Sequence, residues 1–428
     1  ADSVYAEYAG EQPMSEDCLY LNVWTAAPHA QAGWPVMVWI HGGAFQQGSG
    51  SNPVFVRGDL VAQGVVLVTF NYRLGPFGFI AHPELDAASD GASANHGLLD
   101  MAAALRWVRH NIAAFGGDPD RVTVFGQSAG AAGVVNLMAS VQARGLFARA
   151  IAHSFGVAEM ESLATARQQG LEFARRAGAA DLAALRALDA QALLDAYLAQ
   201  PARFMPVIDG NFIARPVHET FAAGAQQAVP LLAGWNADEG SAFPAAASAA
   251  ALRAELAQRF GPDADAALRL YPADDDAQAR RSSRQLTGDG LFAWGVWRAA
   301  CAQARLAPTY LYHFEQHQPF APGQRYREAD PATDLGAFHS AEYPYVFGST
   351  GVLTRDWGDD DRRLTRLMQA RWIAFAKTGD PNVAGLSAWP RFDPARPTVM
   401  RLSTEPALVD VPRREHLEFI DRTREIRC

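Results

Sequence analysis

Val122-Thr123-Val124-Phe125-Gly126-Gln127-Ser128-Ala129-Gly130 begins as a β-branched apolar run and ends in G-x-S-x-G. The helix-forming stretch Ala129–Ala139 follows it directly. Strand, sharp turn and helix form the context in which this pattern carries chemistry: the turn lifts the Ser hydroxyl above the end of the sheet. Glycines two places before and two after leave room for strand and helix to approach closely. A helix N-terminus behind the Ser adds partial positive charge where an anion would develop. Ser128 is therefore the candidate nucleophile. A weaker copy, Ala152-His153-Ser154-Phe155-Gly156, has no good helix behind it, and Ser154 reads as a buried Ser at a strand end.

Working outward, further short apolar runs read as strands: Leu19–Trp24, Pro35–Ile40, Val65–Phe70, Ala150–His153, Val229–Ala233 and Thr309–Phe314. Several are apolar on both faces, as buried parallel strands are. Helices are expected over Leu98–Phe115, Ala129–Ala139 and Asp361–Thr378, the first stopping at Gly116-Gly117 before an Asp118-Pro119 turn. This alternation predicts an α/β fold with a central, mostly parallel sheet covered by helices. Mostly helical segments at 156–205 and 241–305 interrupt it. They are expected to stand over the carboxyl ends of the strands as walls and lid of a pocket, within a single domain spanning 1–428.

Val36–Ile40 runs into His41-Gly42-Gly43-Ala44-Phe45. Acyl transfer needs N–H groups aimed at the oxygen that becomes negative, and adjacent glycines let backbone approach it. The candidate donors are Gly43, Ala44 and, following the nucleophile, Ala129. In this chain order an acid and then a His should follow the Ser. Asp238 and Glu239, after the run Pro230–Trp235, are adjacent, so their side chains diverge and one alone can serve; Asp209 in Val207-Ile208-Asp209-Gly210 reads better as a turn. The His candidates are His313, His317 and His339, and composition does not choose among them.

The 428 residues are 49% hydrophobic and 19% charged, enough for a large core, and the net charge of −9 disfavours a nucleic-acid partner. The three cysteines, Cys18, Cys301 and Cys428, are no disulfide framework. No apolar run is long enough to span a membrane, and the chain opens at Ala1 without a signal-peptide pattern, as a processed or truncated product would. No H-E-x-x-H or similar metal spacing occurs, so neither metal nor cofactor is expected.

Together these residues resemble the type-B carboxylesterase and cholinesterase family. The likeness is carried by Ser15-Glu16-Asp17-Cys18-Leu19-Tyr20-Leu21-Asn22-Val23-Trp24, by Trp39–Phe45, and by Asn71-Tyr72-Arg73-Leu74-Gly75-Pro76-Phe77-Gly78-Phe79. Asn95–Asp100, the turn at Ser128, Asp238-Glu239-Gly240 and Gly336–Gly348 add to it. The resemblance implies an α/β-hydrolase fold and ester hydrolysis by Ser128, Glu239 and His339, with Gly43, Ala44 and Ala129 as oxyanion donors. It also implies a second buried Ser at Ser154. The chain departs from the family in three places. The segment ahead of S-E-D-C is largely missing, so Cys18 lacks its usual partner and is expected free. Tyr8 stands where cholinesterases carry the aromatic that stacks on choline. Ser340 replaces the commoner Gly after the His. A neutral or moderately bulky small-molecule ester is the expected substrate, with Phe292-Ala293-Trp294 and Tyr343–Phe347 as candidate gorge walls. Amide, thioester or carbamate cleavage by the same residues and a non-catalytic binding module are the rival readings.

Overall fold

The computed structural model describes residues 2–10, 14–56, 58–85, 94–156, 160–199 and 204–424; Cys428 lies outside the described residues. Nine strands form one sheet: β1 (Leu21–Trp24), β2 (Trp34–Ile40), β3 (Val66–Phe70), β4 (Gly117–Gln127), β5 (Arg149–His153), β6 (Leu231–Asn236), β7 (Thr309–Phe314), β8 (Thr398–Leu402) and β9 (Ala407–Asp410). Their spatial order is β1-β3-β2-β4-β5-β6-β7-β8-β9. The end pairs β1–β3 and β8–β9 are antiparallel, and all pairs between them are parallel. This is the α/β-hydrolase fold expected from the sequence.

Strand alternation divides the interior into a core on each face of the sheet. Val36, Val38 and Ile40 of β2 pack into one core, with the helices His96–Asn111, Ala129–Ala139 and Trp294–Gln303. Met37 and Trp39 point into the other, against Tyr343–Phe347 and the helix Asp359–Thr378. Because both faces are covered, the central strands carry apolar residues on both sides, as the runs in the sequence suggest.

Some expected boundaries move. The first long helix covers His96–Asn111, and a 3-10 turn at Ile112–Phe115 closes it on left-handed Gly116. The Asp118-Pro119 turn falls inside β4, which already begins at Gly117: Asp120 N donates to Asp118 Oδ1 at 2.9 Å, and the pairing to β2 jumps from Trp34–Gly117 to Val36–Val122. β8 and β9 were not foreseen. Thr398–Leu402 carries Arg401, and Ala407–Asp410 alternates with exposed positions at the sheet edge, so neither shows a buried-strand pattern.

His41 sits at the end of β2, stacked on Tyr72 at 4.4 Å, and the Tyr72 hydroxyl donates to its carbonyl at 2.9 Å. Burial pushes its imidazole down from 6.5 to about 4, so it is neutral at pH 7. As pH falls below 6.5 the unfolded chain takes up a proton that the folded chain refuses. Stability should therefore be lost between about pH 6.5 and 4, and this contribution stops changing below about 4. Urea midpoints measured across that range should fall less steeply in His41→Gln than in the wild type. Leu232, fully buried in β6, gives a second test. Leu232→Ala should lower the unfolding free energy by about 2–5 kcal/mol. Leu408→Ala, at an exposed edge position, should change it by less than about 0.5 kcal/mol in the same denaturant titration.

Candidate active site

Ser128 lies between the last residue of β4 and the first of the helix Ala129–Ala139, with φ +56° and ψ −125°. A non-glycine residue at positive φ is strained and persists only where its surroundings force it. Here the glycines do so. A Cβ on Gly130 would run into the carbonyl of Ile40, and one on Gly126 would press on the Gly130 backbone. The first turn of the helix thus lies against the end of β2, where the loop His41–Phe45 begins. In that loop Gly43, Ala44 and Phe45 have φ of +113°, +57° and +61°. Gly43, Ala44 and Ala129 border the same cavity as Ser128 and His339.

The acid and the His arrive from β6 and from the segment after β7. Of the two adjacent carboxylates, Glu239 is buried and Asp238 is not. Glu239 Oε2 lies 2.6 Å from His339 Nδ1, while its Oε1 accepts the Asn236 N–H at 2.7 Å. In the tautomer that donates Nδ1–H to the carboxylate, Nε2 is an acceptor. The remaining candidates go elsewhere. Asp238 faces His317 at 3.7 Å near the surface, His313 meets Glu315 at 2.9 Å, and Asp209 accepts the Asn211 and Ile213 N–H groups in a turn. Ser154 is fully buried with φ +51°.

The two loops are stitched together. Asp238 N donates to the Ala337 carbonyl at 3.0 Å, and Ala337 N donates to Asp238 Oδ2 at 2.9 Å. Asn236 Nδ2 donates to the Phe338 carbonyl at 2.8 Å and to Glu342 Oε2 at 2.7 Å, and Ser241 Oγ donates to the Leu335 carbonyl at 2.5 Å. Gly336, at φ +61°, has no space for a Cβ beside Asp238. Behind the acid, Glu342 also lies 3.6 Å from His153, and Trp372 Nε1 donates to His153 Nε2 at 3.0 Å.

Three side chains form a set about His339 that the sequence motifs do not assign to it. Phe292 stacks on the imidazole with centroids 4.2 Å apart, because a π-helical turn at Asp289–Ala293 carries Phe292 and Leu291 into the cavity. Gln127 Nε2 lies 3.2 Å from Nε2 and 3.3 Å from Nδ1. A nitrogen so nearly equidistant from both lies over the ring face, since an in-plane approach would collide with Cε1. Tyr343 completes the set by donating to Gln127 Oε1 at 2.6 Å. The expected aromatic walls divide: Phe292 and Tyr343 line the cavity, whereas Trp294, Tyr345 and Phe347 belong to the cores. The cavity, about 310 Å³, is also bounded by Tyr5, Tyr8, Met205 and Phe243. None of the described residues lining it is Asp, Glu, Lys or Arg. Cys18 and Cys301 are free thiols. Among the described residues no cluster of three or more His, Cys, Asp or Glu could hold a metal, and no helix is long and apolar enough to cross a membrane.

Known proteins share this arrangement of chain. The profile of the carboxylesterase family matches residues 2–420. A fumonisin B1 esterase from Sphingopyxis macrogoltabida is 40% identical over 402 residues, which cover 89% of this chain and 71% of the relative. Para-nitrobenzyl esterase from Bacillus subtilis (strain 168) is 36% identical over 436 residues, covering 97% of this chain and 85% of the relative. A solved PNB esterase superposes with a TM-score of 0.83 at 36% identity, covering 97% of this chain and 86% of that one. A strained Ser at the strand–helix turn, on a sheet of this order and within a chain matched almost end to end, makes this protein a carboxylesterase that belongs to the carboxylesterase family.

Proposed function

We propose that the protein hydrolyses neutral, moderately bulky carboxylic esters through an acyl-enzyme on Ser128, with His339 as general base and acid and Glu239 as the orienting acid. The observation that carries this reading is the 2.6 Å contact between buried Glu239 and Nδ1 of His339, a residue that borders the same cavity as Ser128. Ser128 Oγ attacks the ester carbonyl as His339 Nε2 takes its proton. The tetrahedral oxyanion is met by the N–H groups of Gly43, Ala44 and Ala129. Collapse expels the alcohol, which receives the proton back from His339. Water then repeats the sequence on the acyl-enzyme and releases the acid. Glu239 fixes the ring tautomer and offsets the charge of the transient imidazolium, while its second oxygen is held by the Asn236 N–H.

The neutral substrate class rests on the lining. A charged acyl or alcohol group would be desolvated there without a partner of opposite sign among the described lining residues. The names of the relatives, esterases of fumonisin B1 and of para-nitrobenzyl esters, support an organic ester of some bulk. Within one hydrolase domain, the segments 156–205 and 241–305 act as walls of the pocket, contributing Gly156, Met205, Phe243, Leu291 and Phe292.

Hydrolysis of p-nitrophenyl esters of increasing acyl length tests the reading. The wild type should turn over short and medium acyl chains, and Ser128→Ala should lower kcat by on the order of 10⁴–10⁶. Undiminished activity in folded Ser128→Ala would sink the assignment. Glu239→Gln, nearly the same shape but unable to hold the Nδ1–H tautomer as a carboxylate does, should lower kcat by about 10⁴. If Asp238→Asn had that effect instead, the acid would have been misassigned.

A further inference from the structure

One wall of the cavity is built unlike the others. Tyr5 and Tyr8 reach it from Val4–Tyr8, a single 3-10 turn that forms no strand pairs. A turn this short has no stability of its own. Buried Val4 anchors it, and polar contacts with residues remote in sequence fix where it stands. Arg355, its side chain fully buried, grips the Glu7 carboxylate with both terminal nitrogens, at 2.6 and 3.2 Å. The Tyr326 hydroxyl donates to Glu7 at 2.6 Å, and the Arg355 guanidinium lies 4.4 Å over the Phe320 ring. Arg355 Nε also donates to Gln318 Oε1 at 3.0 Å. The Gln318 amide in turn donates to the Tyr8 hydroxyl at 3.3 Å and to the Ala341 carbonyl at 2.9 Å. Ala341 is two residues beyond His339, so the same amide ties the wall to the loop that carries the base. At the cavity, Tyr8 packs edge-on against Tyr343 with centroids 5.1 Å apart, and Tyr5 edge-on against His339 at 6.3 Å.

Resting on the ester-hydrolase reading above, we propose that the Glu7–Arg355–Gln318 clamp sets the size limit of the substrate by fixing the Tyr5–Tyr8 wall across the cavity. Glu7, Arg355 and Gln318 are positioning residues: none lines the cavity, and each acts through the two tyrosines. A bidentate charge pair holds geometry more tightly than a neutral contact does. Weakening it lets the turn move outward on Val4, admitting larger esters while Ser128, His339 and Glu239 stay in place.

The test compares kcat/KM for p-nitrophenyl acetate and p-nitrophenyl trimethylacetate in the wild-type chain and in Glu7→Gln, Arg355→Lys and Gln318→Met, with thermal unfolding followed for each. In Glu7→Gln the ratio of bulky to small ester should rise by about fivefold or more, the change falling mainly on KM of the bulky ester. Its kcat on acetate should stay within about threefold of wild type. Arg355→Lys keeps the charge but loses the fork, and should shift the ratio less. Gln318→Met strands no buried charge and decides the matter if the other two variants unfold; its ratio should also rise. An unchanged ratio in the folded variants, or a proportional fall on both esters, overturns the proposal. A wild type that hydrolyses neither ester overturns the ester reading itself, whereas a wild type active on both with clamp variants of unchanged ratio overturns the clamp alone.

Discussion

The arrangement of the site depends on one close approach, that of the first turn of the helix after β4 to the carbonyl end of β2. Gly130 makes it possible, since any side chain there would meet the Ile40 carbonyl. Ile40 is the last residue before the loop that carries Gly43 and Ala44, and Ala129 opens the helix. The contact therefore brings amide groups from two separate strand ends to one place and holds Ser128 between them. Strain at Ser128 follows from the same packing. Such preorganisation acts before any substrate arrives, so little reorganisation is left for the reaction itself.

The imidazole is supported in a different way. Its in-plane partner is a carboxylate, while its faces and edges meet Phe292, Gln127, Tyr5 and Phe243. Aromatic neighbours exclude water and leave the ring few other orientations. Excluding water also strengthens the contact to Glu239, because the effective dielectric constant around it falls.

The fold and the strained turn that carries Ser128 were legible in the sequence because both are local. Apolar runs of strand length, a G-x-S-x-G turn and a helix directly behind it are set by near neighbours along the chain. The order of strands and the acid and base depend on distant contacts. Asp238 and Glu239 are indistinguishable by residue type and spacing, and only the return of the 335–342 loop sends one to His339 and the other to the surface beside His317. The family pattern supplied that choice where residue-by-residue reading left it open. Gln127 was visible only as the unspecified letter inside the turn motif. The role of Phe292 depends on a π-helical turn that no periodicity in the sequence reports. β8 and β9 were missed because Thr398–Leu402 is interrupted by Arg401 and the four-residue edge strand Ala407–Asp410 has exposed positions, so neither shows the continuous apolar run that marks the buried strands.

The seam between the loops of Glu239 and His339 bears on how such an enzyme can diversify. These two residues lie 100 positions apart, and the chain between them includes helices that border the pocket. Because the seam is closed by backbone groups and by Asn236, Asp238 and Ser241, Glu239 and His339 are registered to each other without help from most of the intervening helices. Apart from β7, the 284–288 stretch packed on Glu239 and Gly240, and the turn that stacks Phe292 on His339, that excursion can drift or lengthen, changing what enters the pocket while the distance from carboxylate to imidazole stays the same. Selection can thus act on the reach of the enzyme and on its chemistry as nearly independent traits.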